Sequence, residues 1–85
     1  MHTIMSVAKL ITVSGKDLIR FLHSMGFEEI RVKGSHHRLK HSDGRVTTVA
    51  VHGNEDLPKG TLRKIIREDL QMEMDEFERT FQKYR

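Results

Sequence analysis

Four histidines lie close together in a stretch of the chain that also carries arginine and lysine. The sequence has six histidines among 85 residues, and the four are His36, His37, His41 and His52. Imidazole exchanges a proton near neutral pH, which suits it to general acid–base catalysis. Cleavage of an RNA phosphodiester needs a base for the 2′-hydroxyl, an acid for the leaving oxygen and positive charge on the phosphoryl oxygens. This stretch contains the residue types for that chemistry.

Strand alternation divides these histidines between two faces. Residues 36–41 read as a strand with Leu39 on the inner face, so His37 and His41 share its phase. A following strand over 45–52 projects His52 to the other side. The outer face is therefore expected to collect two imidazoles and two fixed cations, namely His36, Arg38, Lys40 and His52.

The histidines of the inner phase have a simpler structural interpretation. We expect His37 and His41 to be partly buried and to donate hydrogen bonds to backbone carbonyls. His37 is also a candidate for a secondary catalytic residue. A metal site ranks below these readings, because neighbouring histidines point to opposite faces and no carboxylate accompanies them. The chain has no cysteine, which removes thiolate ligands and thiol nucleophiles. We therefore expect neither a metal nor a small-molecule cofactor.

A second basic group lies further along the chain. Lys59, Arg63 and Arg67 follow a spacing of four and form a stripe on one side of a predicted helix. Acidic residues are absent from this stretch until Glu68, which favours an anionic partner over an ordinary solvated face. The segment 58–61 also offers a lysine, a hydroxyl and backbone NH groups to a phosphate.

Two longer helices and a short one are predicted around the strands. Ser14 and Asp17 have the spacing of a capping box, and the apolar period predicts a helix over 14–25. Pro58 opens a second helix, and an amphipathic segment over 74–84 predicts a third. The buried face of the second helix is expected to contain Leu62, Ile65, Ile66 and Leu70.

The strands should form one antiparallel sheet. Ile30 and Val32 alternate with cations and predict a half-buried first strand. The strands over 36–41 and 45–52 are joined at 42–44, where Asp-Gly tolerates a positive φ. The predicted fold is α+β with the order α-β-β-β-α, in which two helices cover one face of the sheet and the other face stays in water.

Composition and charge place this fold in a small basic protein. A chain of 85 residues has room for one domain, which we divide into an N-terminal extension (1–13), a core (14–71) and an acidic C-terminal helix (72–85). Residues 1–67 carry 12 Lys and Arg against 6 Asp and Glu, whereas residues 68–85 carry 3 against 6. A basic body favours nucleic acid as a partner over a membrane. Without a basic leader or a long apolar stretch, we expect a cytoplasmic protein.

Three segments in order resemble the HicA toxin family. They are residues 34–45, 51–54 and 57–63, which read GSHHRLKHSDGR, VHGN and LPKGTLR. The similarity spans most of the chain, from Ser14 to about Leu70. The resemblance implies an mRNA interferase of a type II toxin–antitoxin module, a fold like that of double-stranded-RNA-binding domains, and a HicB-like antitoxin that covers the active site.

The resemblance also assigns the catalytic residue, whereas the basic sheet face and the helix stripe indicate the residues that bind RNA. The family's catalytic histidine, in its Gly-Ser-His motif, corresponds to His36. The expected RNA-binding residues are Ser35, Arg38, Lys40, His52, Lys59, Arg63 and Arg67. Both termini are longer than in compact members of the family and are candidates for contact with the antitoxin or a second copy.

Three functions remain open at this point. The first is a ribonuclease toxin that cleaves mRNA without a metal, with His36 as general base or acid. The second is a non-catalytic RNA-binding module that uses the same basic face. The third is a protein-interaction domain whose basic face meets an acidic partner.

Overall fold

The computed structural model describes residues 11–85, which form a three-stranded antiparallel sheet and three helices. The elements are α1 (Gly15–Ser24), β1 (Phe27–Lys33), β2 (His36–His41), β3 (Val46–Ala50), α2 (Lys59–Lys64) and α3 (Met74–Tyr84). A π-helical turn, Ile65–Asp69, continues α2 directly. The predicted α+β order is confirmed, while residues 1–10 of the predicted extension lie outside the described residues. None of the described helices has the length and apolar character needed to cross a membrane.

Helix α1 begins and ends where its sequence predicts, within one residue. Ser14 caps it, since its Oγ accepts the backbone N–H of Asp17 at 3.1 Å. Gly26 follows the helix with a φ of +98°, a conformation that glycine adopts at low cost. The apolar face that α1 buries against the core contains Leu18, Phe21 and Leu22.

Strand β1 differs from its prediction. It begins at Phe27, its only buried residue, whereas Ile30 and Val32 are each 53% exposed. The register with β2 shifts between Glu29 and Arg31, as a β-bulge requires. The bulge leaves Ile30 without a partner, whereas Val32 still pairs with His37 on the inner side. Both are exposed because β1 is an edge strand of which only Phe27, at its start, is buried. The predicted half-buried pair is therefore wrong.

The sheet order is β1-β2-β3, so β2 is central and bonded on both sides. Its bounds match the prediction. The third strand was predicted over 45–52 and is shorter. Arg45 instead belongs to the turn, where its backbone N–H donates to Asp43 Oδ1 at 3.0 Å and its guanidinium donates to the Leu70 carbonyl at 2.8 Å.

The core lies between the inner face of the sheet and the helices. Leu39 of β2 and Val49 of β3 are fully buried there, as is the predicted apolar face of α2 and its π-helical turn. Phe21 of α1 makes edge-to-face contacts with three aromatic rings of α3, those of Phe77, Phe81 and Tyr84. Each such pair adds about 0.5–1.5 kcal/mol beyond area burial. The C-terminal helix is thus integrated into the core.

Candidate nucleic-acid interface and histidine site

A tight hairpin positions His36. Lys33 of β1 pairs with His36 of β2 across Gly34 and Ser35, and Gly34 has a φ of +60°. A two-residue hairpin loop favours glycine at such a position because the turn that matches strand twist needs a positive φ. Residues directly opposite in an antiparallel pair share a face, with Cβ atoms about 4.5–5.5 Å apart. The exposed imidazole of His36 therefore lies beside a lysine.

The next rows of the outer face add further cations. Arg38 of β2 pairs with Arg31 of β1 and with Thr48 of β3. Its Nη1 donates a long hydrogen bond of 3.5 Å to Thr48 Oγ1. Lys40 is exposed in the following row, opposite Glu28 of β1. We name the exposed residues Lys33, Arg31, His36, Arg38 and Lys40 the outer-face cluster.

Sequence reasoning found three members of this cluster and missed two. The alternation of side chains along β2 correctly predicted that His36, Arg38 and Lys40 lie on the outer face of the sheet. Lys33 and Arg31 were overlooked, although the hairpin at Gly34-Ser35 could have placed Lys33 opposite His36. Arg31 was harder to place because the bulge changes the pairing of β1.

His37 lies on the inner side of the sheet, with a partner that the sequence did not predict. Its Nδ1 is hydrogen-bonded to Glu29 Oε2 of β1 at 2.5 Å, and 25% of the His37 side chain is exposed. The expectation of a backbone carbonyl as its partner is therefore wrong. Consecutive strand residues point to opposite faces, so His36 and His37 do not converge on one phosphate.

His41 has the role that the sequence suggested. Its Nε2 lies 3.1 Å from the Met25 carbonyl, and its Nδ1 accepts the backbone N–H of Asp43 at 3.0 Å. The same Nδ1 also lies 3.1 Å from the Asp43 carboxylate oxygen Oδ1. The imidazole ring also packs edge-to-face against the Phe27 ring, with 5.1 Å between the two ring centroids. His41 thus joins the end of α1 to the β2–β3 turn.

That turn is fixed by a carboxylate. The backbone N–H of Arg45, and then its guanidinium, hold the pKa of Asp43 below its ordinary value, because both bonds favour the charged form. Gly44 completes the turn with a φ of +101°. The β2–β3 connection is therefore held by local polar contacts.

Two other predicted residues lie at the end of the sheet. The Ser35 carbonyl accepts the backbone N–H of Val51 at 2.8 Å, which ties the hairpin to the end of β3. His52 is exposed and lies beyond β3. Strand alternation therefore no longer assigns His52 to the outer face.

The basic stripe of α2 is exposed as predicted. Lys59, Arg63 and Arg67 all face solvent, and a shallow groove of about 490 Å³ is lined by Gly60, Arg63, Lys64, Arg67 and Glu68. Pro58 precedes the helix as its cap residue. The change to π-helical winding at Ile65 displaces Arg67 from a straight α-helical row.

Between residues 11 and 85, no group of three or more His, Asp or Glu side chains is arranged to hold a metal ion.

Comparison with known proteins identifies the family. Residues 15–70 match the family model described as HicA toxin of bacterial toxin–antitoxin. No curated protein matches the chain. The matched segment runs from the first residue of α1 to Leu70, and it includes the outer-face cluster and the basic stripe of α2 but not α3. Because this match covers more than half of the chain, the protein belongs to the HicA toxin family of bacterial toxin–antitoxin systems.

Proposed function

We propose that this protein is an mRNA interferase, the toxin of a toxin–antitoxin module, and that it cleaves RNA without a metal through His36. The observation that carries the proposal is the hairpin register, which sets an exposed imidazole beside Lys33 and next to the row of Arg31 and Arg38. Family membership supports the same activity. Ribonuclease chemistry needs a proton-transfer group and cations within reach of one phosphate, and this face offers both.

The proposed reaction uses the RNA's own 2′-hydroxyl. A base takes the proton of that hydroxyl, the 2′-oxygen attacks phosphorus, and the bond to the 5′-oxygen breaks as an acid protonates the leaving oxygen. His36 serves as one of these two groups. Lys33, Arg31 and Arg38 stabilise the charge that develops on the phosphoryl oxygens. The products are a 2′,3′-cyclic phosphate and a 5′-hydroxyl end.

Other basic and polar residues hold the RNA around this centre. Phosphate contacts supply most of the affinity of such interfaces and make it depend on salt. We assign this role to the predicted residues Ser35, Lys40, His52, Lys59, Arg63 and Arg67. The substrate class is mRNA, which implies a cytoplasmic site of action.

The antitoxin of the module is the second partner. A face that attracts RNA phosphates also attracts an acidic protein surface. We propose that a HicB-like antitoxin inhibits cleavage by covering His36. Competition between antitoxin and RNA for the free toxin tests this part, and simultaneous binding of both would contradict it.

The activity is tested with the full-length protein and RNA labelled at its 5′ end. Cleavage should persist in EDTA and leave cyclic phosphate ends. His36→Ala should lower the cleavage rate by about 10²–10⁴, the usual contribution of a general acid or base. His23→Ala, which removes an exposed histidine of α1, is the matched control.

Two results would overturn the proposal. Full cleavage by His36→Ala would remove His36 from the mechanism. Wild-type protein that binds RNA but leaves it intact under all conditions would favour the non-catalytic RNA-binding module.

A further inference from the structure

A groove separates the free edge of β3 from α2. Its volume is about 430 Å³, and its polar lining comes partly from the sheet and partly from the helical layer. Arg38 and Thr48 reach it from the sheet, whereas Thr61, Lys64 and Asp69 reach it from α2 and the π-helical turn. The groove therefore connects the outer face of the sheet with the helical layer.

The charges of this groove suit a phosphodiester chain. Arg38 and Lys64 supply two cations, and the hydroxyls of Thr48 and Thr61 can donate hydrogen bonds. The single carboxylate, Asp69, already accepts a hydrogen bond of 2.9 Å from the buried Thr47 hydroxyl. Cations therefore outnumber carboxylates among the residues that line the groove.

The backbone of β3 adds a donor. His41 donates its N–H to the Arg45 carbonyl, and Val51 donates to the Ser35 carbonyl, so the odd-numbered residues from 45 to 51 bond to β2. In an antiparallel ladder the residues between them direct their N–H groups to the other edge. The amide of Thr48 therefore points away from β2, on the side of the groove.

Lys64 joins this groove to the basic stripe of α2. It lines the groove beside β3 and also the groove that contains Arg63 and Arg67. Arg38 is likewise a member of the outer-face cluster that contains His36. The two basic surfaces that the sequence presents separately are therefore linked through Arg38 and Lys64.

We propose that this groove binds the sugar–phosphate backbone of RNA as the strand passes from His36 to α2, with Arg38, Lys64 and the Thr48 amide contacting phosphate. The inference rests on the proposed function and adds a binding path to it. An added protein strand fits this edge less well. The start of α1 closes one end of β3, where a Cβ on Gly15 would lie 2.3 Å from the Ala50 carbonyl oxygen.

The test uses a single-stranded 2′-O-methyl oligonucleotide, which keeps its phosphates but cannot be cleaved through the 2′-oxygen. Its affinity is measured against salt concentration for the wild-type protein, for Lys64→Ala and for Lys83→Ala, an exposed control on α3. In a plot of the logarithm of the binding constant against the logarithm of the salt concentration, Lys64→Ala should reduce the steepness of the slope by about 0.7, because one phosphate contact is lost. Lys83→Ala should leave the slope unchanged. Lys64→Glu should weaken binding more than Lys83→Glu, which makes the same charge change.

The possible failures are distinguishable. A wild-type protein that does not bind the oligonucleotide would contradict the proposed function, and the groove's role with it. Wild-type binding with equal slopes for Lys64→Ala and Lys83→Ala would contradict the path alone. Loss of antitoxin binding without loss of RNA binding in Lys64→Ala would assign the groove to a protein partner and overturn the proposal.

Discussion

The two sides of β2 differ in what holds their side chains. On the inner side, Leu39 is fully buried, and His37 and His41 each make a close polar contact. On the outer side, His36 and Lys40 are exposed. Six consecutive residues therefore divide between a set fixed by packing and a set that faces solvent.

This difference shows how a small fold can position reactive groups without enclosing them. A central strand is hydrogen-bonded on both sides, so its backbone holds each Cα in place. The side chains of the outer face are then oriented by strand geometry, to which Arg38 adds its long hydrogen bond to Thr48. We infer that inner-side substitutions act on stability and outer-side substitutions act on RNA.

The largest effect on stability should come from the inner side. Leu39→Ala removes a fully buried side chain and leaves a cavity, so it should lower the free energy of unfolding by about 2–5 kcal/mol. Lys40→Ala, the adjacent exposed position, should change it by about 0.5 kcal/mol or less. Urea unfolding of both variants checks this, and equal losses would contradict the division between the two sides.

A smaller effect is expected from removing charge on the outer side. Lys33→Ala should slow cleavage roughly tenfold, equivalent to about 1.4 kcal/mol in the barrier, because Lys33 lies opposite His36. The melting temperature of Lys33→Ala should equal that of the wild type. Lys16→Ala, an exposed lysine on α1, is the control. Equal rates for the two variants would remove Lys33 from the site.

His41 tests the inner side with a polar group. His41→Ala leaves the Met25 carbonyl and the Asp43 amide without their partner, and should lower the free energy of unfolding by about 1–2 kcal/mol. His23→Ala should leave stability within about 0.5 kcal/mol of the wild type. Chemical denaturation at neutral pH compares the two, and a neutral His41→Ala would contradict the structural role.

The smallest effect concerns the β2–β3 turn. The folded-state pKa of Asp43 lies below its ordinary value of 3.8, so its contribution to stability is present above that value and is lost as the pH falls through the folded-state pKa. The stability difference between the wild type and Asp43→Asn should therefore be constant near neutral pH and shrink below pH 3.8. A difference that grows on acidification would contradict the pairing with Arg45.

The parts that could be predicted from sequence are those governed by local pattern. The alternation around Leu39 gave β2 its bounds and its faces, and the cap at Ser14 gave α1. The exposure of Ile30 and Val32 could not be predicted, because their apolar–polar alternation reveals neither the bulge at Ile30 nor the position of β1 at the edge of the sheet.

The parts of the candidate site that were missed depend on pairing and packing. Arg31 and Lys33 enter it through the register between β1 and β2. Lys64 enters through the placement of α2 beside β3. Glu29 pairs with His37 across two strands, a contact that no spacing within one strand reveals.

Neighbouring histidines provide the most direct test of the division between the two sides. His36→Ala and His37→Ala are compared for RNA cleavage and for thermal melting under the same conditions. We predict that His36→Ala loses cleavage and melts like the wild type, whereas His37→Ala keeps cleavage and melts at a lower temperature because Glu29 loses its partner. Loss of cleavage in His37→Ala with unchanged melting, together with an active His36→Ala, would contradict it.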